Sequence, residues 1–136
     1  MVVVEFCMRR EESLNPADWI HIAERDYHRV ETLLGIGDAE AAGFYLQQAI
    51  EKFLKAFLLS KGWRLRRIHD LDTLLNATLE FDDSTELFRE VCQRITDYYI
   101  VERYPIADDS GLTVDDVRDS YEKVKGLVDM LREGAK

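Results

Sequence analysis

Basic side chains concentrate in the middle of an otherwise acidic sequence. The 136-residue chain has a formal net charge of −9, but the stretch from Glu51 to His69 has a net charge of +5, which leaves −14 for the remainder. The basic residues of this window are Lys52, Lys55, Lys61, Arg64, Arg66 and Arg67. Because these side chains pair with phosphate oxygens, the window predicts a site for a phosphate-bearing ligand. Basic residues also stabilise the last turn of a helix, where the dipole is negative, and this structural interpretation stays open.

His69 is the histidine of the basic window, and it follows Arg64 at the spacing Arg-x4-His. A histidine titrates near neutral pH, so one beside an arginine could act as an acid–base catalyst in RNA 2′-hydroxyl chemistry. The alternative is that His69 or Asp70 caps the next helix and braces the connector. His21 and His28 have no partner at the spacing of a helical metal site, and the sequence predicts neither a metal nor a cofactor.

A second constellation combines arginine and tyrosine near the end of the fourth predicted helix. Arg94, Tyr98 and Arg103 lie on nearby helical turns, and Tyr104 follows directly. Phenol and guanidinium groups can together hold a phosphate and stack a base. In the alternative, Tyr99 packs in the core and Tyr104 with the following proline ends the helix. The predicted ligand-binding residues are therefore Lys52, Lys55, Arg64, Arg66, Arg67, His69, Tyr98, Arg103 and Tyr104.

Length and composition indicate one globular domain. The chain is 46% hydrophobic and 33% charged, which excludes a mostly disordered protein, and its acidity excludes a broadly basic surface that coats nucleic acid. No window approaches the roughly 20 apolar residues that cross a bilayer, and the first residues lack the basic leader of a signal peptide. Cys7 and Cys92 form no metal or disulfide pattern and suit packing in a reducing compartment. We therefore expect a cytoplasmic protein that does not contact membranes.

Apolar periodicity predicts five helices joined by short breaks. The first begins at Asn15-Pro16, the second runs from Asp38 to about residue 61, and the third spans about 70–79. The fourth starts near residues 83–84 and ends before Pro105, and the fifth follows a capping box of Thr113 and Asp116. A short strand at residues 2–6 is the one alternative to helix. The sequence thus predicts an all-α, five-helix up-and-down bundle over residues 15–136, with an N-terminal extension over residues 1–14.

Three ordered segments resemble the HEPN domain family. They are the run YLQQAIEKFLKAFLL at residues 45–59, His69-Asp70-Leu71, and Arg103-Tyr104-Pro105, and the similarity extends from about residue 15 to residue 131. The resemblance implies an all-α up-and-down bundle that is commonly dimeric and is associated with nucleotide binding. Many small prokaryotic members pair with a minimal nucleotidyltransferase, several as toxin–antitoxin systems. The residues at family motif positions are Lys52, Lys55, His69, Asp70, Arg103 and Tyr104.

Three functions follow as hypotheses. The first is a nucleotide- or nucleic-acid-binding module, expected to form a homodimer and to partner a minimal nucleotidyltransferase. The second is a metal-independent ribonuclease toxin whose dimer cleft gathers the candidate catalytic residues Arg94, Arg103 and Tyr104. Active ribonucleases of the family usually carry a late Arg-x4–6-His motif, and the corresponding stretch of this sequence has no histidine, so the sequence leaves enzymatic activity open. The third is a structural or regulatory assembly protein whose motifs pack the bundle.

Overall fold

The computed structural model describes residues 13–103 and 111–136, the side chains of residues 100–103 excepted. Within these residues the regular structure is entirely helical, with five α-helices and one short 3₁₀ helix. The helices are α1 (Pro16–Gly35), α2 (Ala39–Ser60), α3 (Leu71–Leu79), the 3₁₀ helix (Asp83–Phe88), α4 (Arg89–Arg103) and α5 (Val114–Gly134). The predicted all-α five-helix bundle is confirmed. The predicted strand at residues 2–6 and Cys7 lie outside the described residues.

Local capping bonds set the helix boundaries largely as predicted. The Asn15 side chain accepts from the backbone N–H of Ala17 at 3.0 Å, and Asp38 accepts from Ala41 at 3.1 Å. Thr113 and Asp116 form the predicted reciprocal capping box at the start of α5. Gly62 ends α2 with a φ of 87°, a left-handed conformation that glycine adopts without a Cβ penalty. These helix ends depend on hydrogen bonds between residues close together in the chain, which is why the sequence predicts them.

The start of the fourth helix differs from the prediction. Residues 83–88 form a 3₁₀ helix, and regular α-helical geometry begins only at Arg89. The Asp82 side chain, rather than that of Asp83 or Ser84, accepts from the backbone N–H of Ser84 at 3.1 Å, and the Thr85 hydroxyl donates to the Asp82 carbonyl at 2.8 Å. Short polar side chains that bind the nearby backbone compete with α-helical hydrogen bonds, so the first turn stays tight.

Helix α2 forms the centre of the bundle and packs against α1, α3, α4 and α5. Its broad apolar arc is buried as predicted, and Phe53, Leu46, Ile50 and Leu54 are among the largest fully buried side chains. Three polar α2 residues, Gln47, Glu51 and Lys55, are also buried. A buried polar group is costly unless it is hydrogen-bonded, so these residues must be partnered. Among the described residues, no helix combines the length and the apolar character that crossing a lipid bilayer demands.

Candidate functional site

A cleft of about 420 Å³ opens between α1, α2 and the connector of residues 61–70. Helix α2 contributes Gln48, Glu51, Lys52 and Lys55, whose spacing of three and four residues places them on one helical face. The connector contributes Leu65, Arg66, Arg67 and His69, and α1 contributes Trp19. The positive window of the sequence therefore folds into one concave surface, because the connector runs back along the polar face of α2.

The cleft unites five of the predicted ligand-binding residues, which are Lys52, Lys55, Arg66, Arg67 and His69. Arg64 belongs to the same connector, but it does not line the cleft. The lysines come from a helix and the arginines from an irregular segment, so the convergence was not visible as a helical pattern. Among the described residues that line the cleft, two lysines and two arginines stand beside a single acidic side chain, Glu51.

A buried carboxylate that the sequence analysis missed holds Lys52 in place. The Lys52 ammonium donates to Asp26 Oδ2 at 2.7 Å and to Gln48 Oε1 at 3.2 Å. Asp26 lies on α1, where it is buried, and its other oxygen accepts from Arg29 at 3.2 Å. The sequence spacing does indicate that Asp26 is buried, because it falls three residues after Ala23 and four before Val30 on the apolar face of α1.

Glu51 is the second buried carboxylate of the site, and three side chains converge on it. Its Oε2 accepts from the Lys55 ammonium at 3.0 Å, while Oε1 accepts from Gln47 at 3.1 Å and lies 3.0 Å from His69 Nδ1. Burial by itself raises the pKa of Glu51, but the hydrogen bond with His69, the charge of Lys55 and the remaining hydrogen bonds outweigh it and hold the pKa below the ordinary glutamate value. An ionised Glu51 can only accept, so the hydrogen of this contact belongs to His69 Nδ1.

His69 is oriented from several directions at the edge of the cleft. Besides the contact between its ring and Glu51, its backbone carbonyl accepts from Gln47 at 3.0 Å. Its ring stacks on Tyr99 with a centroid separation of 5.5 Å and an interplanar angle of 10°. The predicted capping role falls to Asp70, whose side chain accepts from the backbone N–H of Asp72 at 3.1 Å. His69 therefore braces the connector while its ring remains part of the cleft wall.

The structure reverses the expected roles of Tyr98 and Tyr99. Tyr98 was predicted to contact ligand, but it is only 5% exposed and its hydroxyl lies 2.9 Å from the Ser120 hydroxyl in the core. Tyr99, assigned to the core in the alternative interpretation, is partly exposed and stacks on His69. Successive helical residues point about 100° apart, so the packing of α4 against α5 decides which of the two tyrosines is buried.

Of the remaining candidates, Arg94 has a described side chain, and it does not line the cleft. Arg94 pairs with Asp119 of α5 at 3.3 Å and with Glu90 at 3.6 Å. The side chain of Arg103 and all of Tyr104 lie outside the described residues. The predicted catalytic group of Arg94, Arg103 and Tyr104 therefore stays a prediction, and Arg94 forms surface ion pairs with Asp119 of α5 and with Glu90 of its own helix.

The lowered pKa of Glu51 predicts an acid-sensitive fold. Because this pKa lies below the ordinary value of 4.5, ionised Glu51 stabilises the native state at higher pH, and the contribution disappears as the pH falls through the native pKa. We expect the stability difference between the wild type and Glu51→Gln to be largest near pH 7 and to shrink below about pH 4. Urea unfolding from pH 3 to 7 measures this difference, with the exposed Glu80→Gln as the surface control. A difference for Glu51→Gln that stays constant over this range would contradict the assignment.

Comparison with known proteins agrees with the fold and identifies the family. The HEPN domain profile matches residues 16–134. The crystal structure of TT1696 from Thermus thermophilus is similar at a TM-score of 0.78 and 27% identity, covering 88% of this chain and 97% of that one. ST0689, an archaeal HEPN homologue, shares the fold at a TM-score of 0.72 and 24% identity, covering 90% and 98% of the two chains. No curated protein matches the chain significantly. With almost the whole described bundle inside the matched region, the chain belongs to the HEPN domain family.

Proposed function

We propose that this HEPN protein binds the phosphate of a nucleotide or nucleic acid in the cleft and acts as the partner of a minimal nucleotidyltransferase in a two-component, toxin–antitoxin-like system. The observation that carries the binding half is the convergence of Lys52, Lys55, Arg66 and Arg67 on one concave surface. Concave sites with a few convergent polar groups are where small ligands generally bind. Membership of a family associated with nucleotides and RNA supports the same conclusion.

The four cations of the cleft differ in how far they reach into solvent. Lys52 and Lys55 are largely buried, and they are ion-paired with the buried carboxylates of Asp26 and Glu51. Arg66 and Arg67 are exposed on the connector at the opposite wall. We assign the direct phosphate contacts to the arginines, whose planar forks match two phosphate oxygens, and the supporting positive potential to the lysines.

The acidic remainder of the chain favours a compact anionic ligand. The positive window is a small part of a protein whose remaining residues carry a net charge of −14. A long polyanion that extends beyond the cleft would be repelled by this surface, whereas a mononucleotide or the end of an RNA would experience mainly the local cations. The charge distribution therefore supports binding of one or a few nucleotides.

The partner half of the proposal includes a homodimer and a cytoplasmic location. Leu87 is 84% exposed, and Ile36 and Phe81 are also exposed large apolar residues. Association would remove such side chains from water, which favours protein contacts. Cys92 is a free, buried thiol, as suits a reducing compartment. The family resemblance supplies the identity of the second partner, a minimal nucleotidyltransferase.

Isothermal titration calorimetry with nucleoside monophosphates and a short RNA, in the presence of a chelator, tests the binding half. We expect saturable binding that weakens as salt is raised, because ion pairs at an open cleft are screened. Absence of heat with every nucleotide and RNA would overturn the proposal, and cleavage of the RNA would replace it with the ribonuclease hypothesis. Co-expression with a nucleotidyltransferase encoded beside this chain tests the partner half, since the two proteins should elute together.

A further inference from the structure

Three aromatic rings from different elements form a stacked column that ends at the cleft. Phe44 of α2 stacks on Tyr99 of α4 with a centroid separation of 5.9 Å and an interplanar angle of 25°. Tyr99 in turn stacks on His69 of the connector, 5.5 Å away and nearly parallel at 10°. His69 is the outermost of these three rings and the one that lines the cleft.

The outer ring of this column is both accessible and rigidly held. Tyr99 covers one face of His69, yet the His69 side chain remains 55% exposed. Its orientation is set by the 3.0 Å contact between Nδ1 and buried Glu51 and by the hydrogen bond from Gln47 to its backbone carbonyl. A ring held in this way loses little conformational entropy when a ligand packs against it, which favours binding.

The rest of the cleft suits a ligand with an apolar as well as an anionic part. Trp19 and Leu65 line it together with the cations, so it is not a purely polar anion site. Its volume of about 420 Å³ lies within the range of small-molecule pockets and exceeds the needs of a bare phosphate. His69 lies three residues after Arg66 and two after Arg67, so its Cα atom is at most roughly 10 Å from theirs. A backbone separation of this size allows one ligand to contact both an arginine side chain and the His69 ring.

The geometry points to a nucleobase-stacking subsite on His69, so that the cleft selects nucleoside phosphates over phosphates that lack a base. This inference rests on the proposed function, because Arg66 and Arg67 hold the phosphate while the base extends the column of Phe44, Tyr99 and His69. Stacking on aromatic side chains accepts every base, since each base has a π-face. The subsite therefore reads the presence of a base and not its identity.

The test compares adenosine 5′-monophosphate with ribose 5-phosphate, which has the same sugar and phosphate but no base. Stacking of one base is expected to make the wild type bind the nucleotide about 5- to 150-fold more tightly than ribose 5-phosphate. Equal affinities would overturn the stacking subsite and leave the phosphate site intact. Absence of binding by both compounds would instead overturn the proposed function itself.

Two variants at position 69 separate the ring from its hydrogen bond. His69→Ala and His69→Phe both lose the contact to Glu51, but only the phenylalanine keeps an aromatic face. We expect His69→Ala to bind the nucleotide and ribose 5-phosphate with equal affinity, and His69→Phe to retain the preference for the nucleotide. Loss of the preference in both variants, with thermal unfolding showing that both are folded, would contradict a stacking role for the ring.

Discussion

The Glu51→Met variant is expected to unfold with a free energy about 3–5 kcal/mol lower than that of the wild type. The Lys55 side chain is only 4% exposed, and its ammonium donates to Glu51 at 3.0 Å. Removing the carboxylate leaves this ammonium buried without its counter-charge, and it also removes the acceptor for Gln47 and His69. An unpaired buried charge costs far more than the pair contributes when it is intact. Urea denaturation at pH 7 measures the loss.

The double variant Glu51→Met/Lys55→Met is the matched control for this prediction. Replacing both members of a buried ion pair by apolar side chains of similar volume is often neutral or stabilising, so we expect it to recover most of the stability lost in the single variant. A single variant that costs less than about 1 kcal/mol, or a double variant no more stable than the single one, would show that the pair is not the determinant we infer.

The Arg66→Ala/Arg67→Ala variant should bind adenosine 5′-monophosphate about 100-fold more weakly than the wild type. A charge-assisted hydrogen bond contributes about 1.5–3 kcal/mol, and 1.4 kcal/mol corresponds to a factor of ten in affinity, so loss of two guanidinium contacts predicts an effect of at least this size. Both residues are exposed on the connector, and an exposed ion pair contributes about 0–1 kcal/mol, so their removal should lower the free energy of unfolding by no more than about 1 kcal/mol. Calorimetry at low salt measures the affinity.

Two single variants control for net charge and for position in the connector. Arg118→Ala removes one positive charge from an exposed site on α5 outside the cleft lining, and it should change the affinity less than twofold. Arg64 is a connector arginine that the sequence predicted to bind ligand, but it does not line the cleft. Arg64→Ala should therefore weaken binding less than either Arg66→Ala or Arg67→Ala. Similar losses in all of these variants would mean that overall charge, and not the cleft, governs binding.

The helices could be predicted from the sequence because their determinants are local. Asn15, Asp38 and the pair Thr113 and Asp116 each bond backbone groups two or three residues away, so their meaning is visible in the sequence. The start of α4 was misplaced for a related reason, since the competition between Asp82, Thr85 and the α-helical bonds is close. Asp, Ser and Thr side chains can all bind the same nearby backbone groups, and a sequence pattern does not show which of them forms the bond.

The candidate site was predicted in composition but not in arrangement. The basic window identified Lys52, Lys55, Arg66, Arg67 and His69, because a local excess of charge is a property of the sequence itself. The same reasoning could not find partners that come from distant segments. Lys52 contacts Asp26 across the interface of α1 and α2, and His69 contacts Tyr99 of α4, which lies 30 residues later in the chain.

By itself, the sequence determined the helical class, the helix ends apart from the start of α4, and the position of the positive window, since these depend on residues close together in the chain. Only the tertiary structure decided that Asp26 and Glu51 anchor the two lysines, that Tyr98 is buried while Tyr99 supports His69, and that Arg64 stays outside the cleft. The physical reason is that each of these outcomes depends on the rotation and crossing of packed helices, where a change of one residue in register turns a side chain by about 100°.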